Sequence, residues 1–247
     1  MKYLKIIILI IFTSSAIFAE TLTANDILKK VDSNMVIEDA VSISTMTIHS
    51  RMGTRNIKSK SWIGDEEESY VEYLSPPREE GKKMLKTGDK LWIYTPEPNE
   101  RIISISGHLL RQSVMGSALS YEDFMENDVL TEDYKAEIVG SDTVNSRACY
   151  VLNLEATSED VNYHSRKVWI DKERWLPLRE QRYAKSGKLL KKTEILDVFQ
   201  VGERWYPKKV KFKDMLSRGE GTIMTIDSLN LDVEVPDYKF TKAALRR

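Results

Sequence analysis

After one amphipathic stretch near its start, the hydrophobic pattern of this chain changes to period two and keeps it nearly to the end. Met46 and Ile48 alternate with Thr45 and Thr47, and Lys58, Lys60 and Trp62 alternate with Ser59 and Ser61. Similar runs cover 69–74, Lys83–Thr87, 91–94 and Arg101–Ile105. In the second half, Tyr150, Leu152, Leu154 and Ala156 share one parity, followed by Val168 and Ile170, by Val210 and Phe212, and by Thr222, Met224 and Ile226. Successive side chains of a strand point to opposite faces, so this alternation predicts half-buried strands rather than helices. Gly88-Asp89, the segment 171–174 and Ser186-Gly187 read as turns between runs, and Pro76-Pro77 and Pro96-Glu97-Pro98 punctuate others. The spacing predicts a mainly β protein built on one antiparallel sheet or unclosed barrel of about 11–12 strands.

Two segments depart from the alternation. Thr23 reads as a helix N-cap with Asp26 three positions on, and Ile27, Val31 and Met35 then form one apolar stripe. The segment 107–135 is longer than a hairpin loop, and Ser120 begins a second helix start in Ser120-Tyr121-Glu122-Asp123-Phe124. Inserted loops with short helices of their own commonly act as lids. A long sheet with little helical cover must close on itself or leave a cavity. Five tryptophans, eleven tyrosines and nine methionines could pack such a sheet as core, or line a cavity that adapts to flexible apolar ligands.

Charge and targeting narrow the class. Lys and Arg number 37 against 38 Asp and Glu, which excludes a strongly basic nucleic-acid binder. Lys2 and Lys5 precede the apolar run 6–12, and Ala16-Ile17-Phe18-Ala19 offers small residues for cleavage. This pattern predicts an export signal over 1–19, cut after Ala19 and followed by one domain over 20–247. No cysteine follows the apolar run to take a lipid, and past residue 19 no apolar run is long enough to span a bilayer. The mature chain is expected to be soluble and periplasmic.

Catalytic chemistry is not called for. Cys149 is the one cysteine and sits in a β-type run without a histidine beside it, as a small buried hydrophobe would. His49, His108 and His164 are far apart and lack ligand-spaced partners. No zinc-protease, phosphate-loop, nucleophile-elbow or dinucleotide motif is present. Glu122 and Asp123 could be paired acids, but acids in a first helical turn complement its dipole. The expectation is a protein that is not an enzyme and needs no cofactor.

The residues also carry a resemblance. Leu91-Trp92-Ile93-Tyr94-Thr95-Pro96, then Arg101, then Met115-Gly116-Ser117-Ala118-Leu119-Ser120-Tyr121-Glu122-Asp123-Phe124 resemble the LolA-like outer membrane lipoprotein-sorting family. The later blocks 150–154, 167–171 and Leu176-Pro177-Leu178-Arg179 are similar in order and spacing. The resemblance implies an unclosed β-barrel with a helical lid, as in LolA and LolB, and a hydrophobic cavity that takes acyl chains of lipoproteins or lipids in the periplasm. It implies an inner-membrane donor and an outer-membrane acceptor, without a cofactor. Within that frame the candidate lining residues are Met46, Ile48, Trp62, Tyr73, Met84, Trp92, Met115 and Phe124, each readable as sheet core or ligand contact. Arg101 and Arg111 could meet a head group or water.

One departure from the family is visible. The arginine that latches the lid in LolA carriers has no counterpart where Trp62-Ile63-Gly64-Asp65 runs into three glutamates. Relatives in this branch accompany RND-type lipid exporters, so an accessory or sensor subunit docked on such an exporter is the alternative. Sensors with this fold carry a second, smaller domain, whereas only 236–245 follow the last expected strand here.

The export reading makes a direct prediction. Mass spectrometry of the mature protein should find Glu20 at the N-terminus, and an intact Met1 on a membrane-bound chain would contradict it.

Overall fold

The computed structural model describes residues 22–50, 53–64, 67–126 and 129–247. The export signal and its cut after Ala19 lie outside them. The first element is helix α1 (Ala24–Met35), and its start is the expected capping box: Thr23 Oγ1 accepts from the Asp26 backbone while the Asp26 carboxylate accepts from Thr23. Ile27, Leu28 and Val31 turn inward, a stripe at helical spacing that gains more from burial than from intrinsic propensity.

Thirteen strands follow among the described residues, one or two more than the sequence predicts. They are β1 (Ala40–Ser50), β2 (Gly53–Ile63), β3 (Glu68–Ser75), β4 (Lys83–Thr87), β5 (Lys90–Thr95), β6 (Arg101–Ile105), β7 (Tyr134–Val144), β8 (Arg147–Ala156), β9 (Ser165–Asp171), β10 (Pro177–Tyr183), β11 (Leu189–Val201), β12 (Arg204–Asp214) and β13 (Gly221–Asn230). They form one antiparallel sheet in the order β6-β5-β4-β3-β2-β1-β13-β12-β11-β10-β9-β8-β7. Two meanders are thus joined where β1 pairs with β13, Met46 opposite Met224. The edge strands β6 and β7 do not pair, so the barrel is unclosed. The chain between them, residues 106–133, holds short 3-10 turns (Gly107–Arg111 and Val114–Gly116) and helices α2 (Tyr121–Met125) and α3 (Leu130–Asp133).

Strand parity divides the side chains between two faces. On the inner face, Met46, Ile48, Ile57, Val71, Tyr73, Met84, Leu91 and Ile105 cluster under the 107–125 segment. Further along the same face, Leu152, Leu154, Val168 and Ile170 pack with Ile27, Leu28 and Val31 of α1. On the opposite face of β3–β5, Tyr70 and Leu85 are covered by the C-terminal turns Asp237–Phe240 and Lys242–Arg246, through Val235, Phe240, Ala244 and Leu245. Each such side chain contributes about 1.5–3 kcal/mol when fully buried.

Three strands, β7, β10 and β11, have no clear alternating signature. β7 is an edge strand whose middle is exposed on both faces, Ile138 and Val139 as well as Glu137, Ser141, Asp142 and Thr143. β10 and β11 carry charge on positions that face inward, so apolar and polar residues do not alternate there. At the start of β13, Gly221 has φ +113°, and a Cβ there would lie 2.4 Å from the Phe212 carbonyl oxygen. That close approach and the positive φ together require a glycine at this strand start.

The helices are tied to the sheet by polar contacts at their ends. Arg204 of β12 donates to the Asn34 carbonyl at 2.9 Å, and Asn34 donates to the Trp205 carbonyl at 3.0 Å. Buried Asp32 of α1 accepts from the backbone amides of Leu130 and Thr131 and from the Thr131 hydroxyl, at 2.9, 3.1 and 2.7 Å. Asp32→Ala leaves those donors unpaired and should lower stability by about 1–3 kcal/mol, read as the urea-unfolding midpoint; an unchanged midpoint would contradict this role.

Candidate functional site

The apolar chamber under the 107–125 segment is filled by its own side chains, and it gathers six of the eight sequence-derived candidates. Met46, Ile48, Tyr73 and Met84 form its floor, and Met115 and Phe124 belong to its roof. Burial pushes the Tyr73 hydroxyl above the ordinary tyrosine range, as an apolar site does to any group that would become charged. Trp62 and Trp92 are not in the chamber. They pack against the cluster on the opposite face, with Lys239 and Lys242 over their rings at 4.0 and 5.9 Å. The reason is parity: Ile57 of β2 and Leu91 of β5 point inward, so Trp62, five residues on, and Trp92, one residue on, point outward.

The roof is a compact irregular structure. Ser113 bridges to Ser120, the Val114 amide donates to the Leu119 carbonyl at 2.8 Å, and the Tyr121 amide donates to the Gln112 carbonyl at 3.1 Å. Inside this small loop Met115 takes a left-handed φ of +52°. Two contacts tie the loop down on the sheet: Arg55 of β2 donates to the Met115 carbonyl at 2.7 Å, and Thr222 Oγ1 of β13 accepts from the Ala118 amide at 2.9 Å. Leu109, Leu110, Tyr121, Phe124 and Met125 face the chamber but remain only partly buried. Helix α2 opens with a second capping box, Asp123 accepting from Ser120 at 2.7 Å.

Beside the chamber, the inner face changes from apolar to charged. Arg166 of β9 stands directly opposite Arg182 of β10, and Arg182 directly opposite Lys191 of β11. Like charges so placed repel, and three carboxylates offset them. Glu180 comes from the sheet, bonded to Arg166 at 2.9 Å and Arg182 at 3.1 Å. The other two come from the roof. Glu126 pairs with Arg166 and Arg182, both at 2.8 Å, and Asp123 pairs with Lys191 and, at 3.4 Å, with Arg182. Tyr163 adds a hydroxyl donated to Asp123 at 2.7 Å, and the Arg166 guanidinium lies over the Tyr134 ring at 4.6 Å.

The sequence reading missed this network, including both arginines that hold the roof. One signal was available: Arg166 shares the parity of Val168 and Ile170, an apolar face on which a cation requires a partner. Asp123 is both the first-turn acid expected from the sequence and a member of the network. Glu122 and Arg111 instead border a cavity of about 460 Å³ that reaches Lys191 and Tyr163. A second cavity, about 700 Å³, lies on the other face of the sheet among Lys135, Glu137, Asn153, Glu155 and Lys167. Arg101 sits exposed at the start of edge strand β6. Cys149 is fully buried, and burial pushes its thiol up, away from the reactive thiolate form.

A protein-family model described as "-like: Uncharacterized protein" matches residues 65–247. The chain belongs to that family. Among solved structures, a DUF1329 family protein from Desulfovibrio piger is 24% identical with a TM-score of 0.80, over 90% of this chain and 97% of the other. An outer membrane lipoprotein-sorting protein domain, so described, from Vibrio parahaemolyticus is 20% identical with a TM-score of 0.78, over 91% and 98%. A LolA superfamily protein from Nitrosomonas europaea is 23% identical with a TM-score of 0.73, over 91% and 100%. These likenesses establish the LolA-like fold. Comparison with curated proteins gives no match. Among the described residues, no helix of this LolA-like chain is long and apolar enough to cross a membrane.

The network sets the acid response of the fold. Burial pushes the Asp123 carboxyl up, but Lys191, Arg182 and the Ser120 hydrogen bond outweigh it and hold it below the usual carboxylate range. Glu180 follows the same balance through Arg182 and Arg166, whereas at Glu126 burial wins and the carboxyl is raised. Groups depressed in the fold contribute stability that is fully present above their unfolded values, about 4, and lost as pH falls through their folded values. Glu126 works in the opposite direction. Urea midpoints should therefore fall as pH drops below about 4, and Glu180→Gln should cost about 3–5 kcal/mol at pH 7 by leaving buried cations short of a partner. A midpoint that is flat from pH 5 to pH 2 would contradict this assignment.

Proposed function

We propose that this protein is a periplasmic carrier that holds acyl chains of lipoproteins or lipids in the chamber roofed by residues 107–126 and delivers them toward the outer membrane. The observation that supports it most is the chamber's construction. Its floor is a continuous apolar sheet face, and its roof is an irregular segment held largely by polar and ionic contacts rather than by strand pairing. Lifting that segment exposes Met46, Ile48, Tyr73 and Met84 together, with Met115 and Phe124 on the moving side.

Acyl chains suit such a surface. Each buried CH₂ is worth about 0.8 kcal/mol, so two or three chains bind tightly without directional contacts. Methionines adapt to chains of differing shape. Release then requires the roof to close again, which replaces acyl contacts by Leu109, Leu110, Tyr121 and Phe124. The LolA-like fold of the structural relatives supports the same reading, with an inner-membrane exporter as donor and an outer-membrane acceptor as the receiving partner. Nothing in this process asks for catalysis or a cofactor.

The parity of the tryptophans provides a test. Phe124→Trp places a reporter in the roof, and its emission should shift to shorter wavelength when a long-chain fatty acid is added below its micellar concentration. Trp62 and Trp92, on the opposite face, should not follow it. Failure of fatty acid, lysophospholipid and lipopeptide alike to bind would overturn the carrier reading.

A further inference from the structure

We propose that Arg166, Arg182 and Lys191 form an anion subsite, which takes the phosphate or carboxylate head group of an acyl-bearing amphiphile while its chains occupy the chamber. This rests on the carrier reading and adds a cargo class to it.

Three positive side chains directly opposite one another on β9, β10 and β11 are an unfavourable arrangement by themselves. The sheet supplies one carboxylate to offset them, Glu180. The remaining two, Asp123 and Glu126, belong to the roof. When the roof lifts, they leave, and the row keeps three cations against one anion in a partly dehydrated surface. An incoming anion restores the balance with charge-assisted hydrogen bonds, for which planar guanidinium groups are well shaped. Even with the roof closed, the Nε atoms of Arg166 and Arg182 are buried without a hydrogen-bond partner among the described residues, so the row has donors left over.

The second observation is the layout of the α2 segment. Tyr121, Phe124 and Met125 cover the apolar chamber, while Asp123 and the following Glu126 reach the cations. One short piece of chain therefore presents apolar groups and carboxylates side by side, to an apolar floor and a cationic row lying side by side. An anionic amphiphile has the same pairing of chemistries and would replace both halves in one step. The cavity of about 460 Å³ reaches Lys191 and Tyr163 beside the roof, which leaves room for a head group larger than a carboxylate.

Titrations of the mature protein with dodecyl phosphate, dodecyl maltoside and inorganic phosphate, each below its micellar concentration where it has one, test the proposal. Dodecyl phosphate should bind at least about tenfold more tightly than dodecyl maltoside, roughly one charge-assisted contact in value. Arg182→Gln and Lys191→Met should bring that ratio toward one. Glu126→Gln, which removes a competing carboxylate at nearly constant shape, should raise it, and this variant keeps the test valid if Arg182→Gln fails to fold. Equal affinity for phosphate and maltoside amphiphiles in the wild type would overturn the subsite while leaving the carrier reading standing. Inorganic phosphate matching the affinity of dodecyl phosphate would overturn it too, by making the row a site for the free ion. Binding of neither amphiphile would instead count against the carrier reading itself.

Discussion

An open sheet of thirteen strands must hide an apolar face without the edge-to-edge pairing that closes a barrel. Everything else in this structure answers that constraint. The strand order places β6 and β7 at the two free edges although they are consecutive in the chain, so the segment joining them must cross the open side. That connector becomes the roof. Helix α1 covers the β7–β9 half of the inner face, and the connector covers the β1–β6 half.

Covering by a connector differs physically from covering by a strand. A strand is held by a ladder of backbone hydrogen bonds, whereas the roof is held by a few side-chain contacts and by four carboxylate–cation pairings to β9, β10 and β11. Buried ion pairs contribute little net stability, because dehydration offsets most of the attraction. They do specify one docked position, and they can be exchanged for another anion at small net cost. A roof fixed in this way is well defined when closed yet replaceable, which is the property a carrier needs and an ordinary core does not.

Much of the fold was legible in the sequence because period-two alternation survives wherever one face is apolar and the other solvated. The capping boxes at Thr23 and Ser120 were legible for a local reason, since their partners lie three residues away. β10 and β11 were obscured by the cation row itself, which puts charge where alternation calls for hydrophobes. The site was legible in part. Parity alone separates Met46, Ile48 and Met84 from Trp62 and Trp92 once a register is known, but register between strands is a non-local property that tryptophan content does not reveal. The network escaped notice because Asp123, Glu126, Arg166, Arg182 and Lys191 lie as much as 68 residues apart and meet only through the topology.

On the proposed carrier role, acyl chains occupy the roofed apolar face in the living cell. Native mass spectrometry of the protein, released gently from the cells that make it, tests it most directly. A carrier should show a bound population heavier than the bare chain by the mass of a lipid or lipoprotein, with acyl chains recovered on extraction. A chain that emerges wholly unliganded, and that also refuses acyl amphiphiles added afterwards, would contradict it.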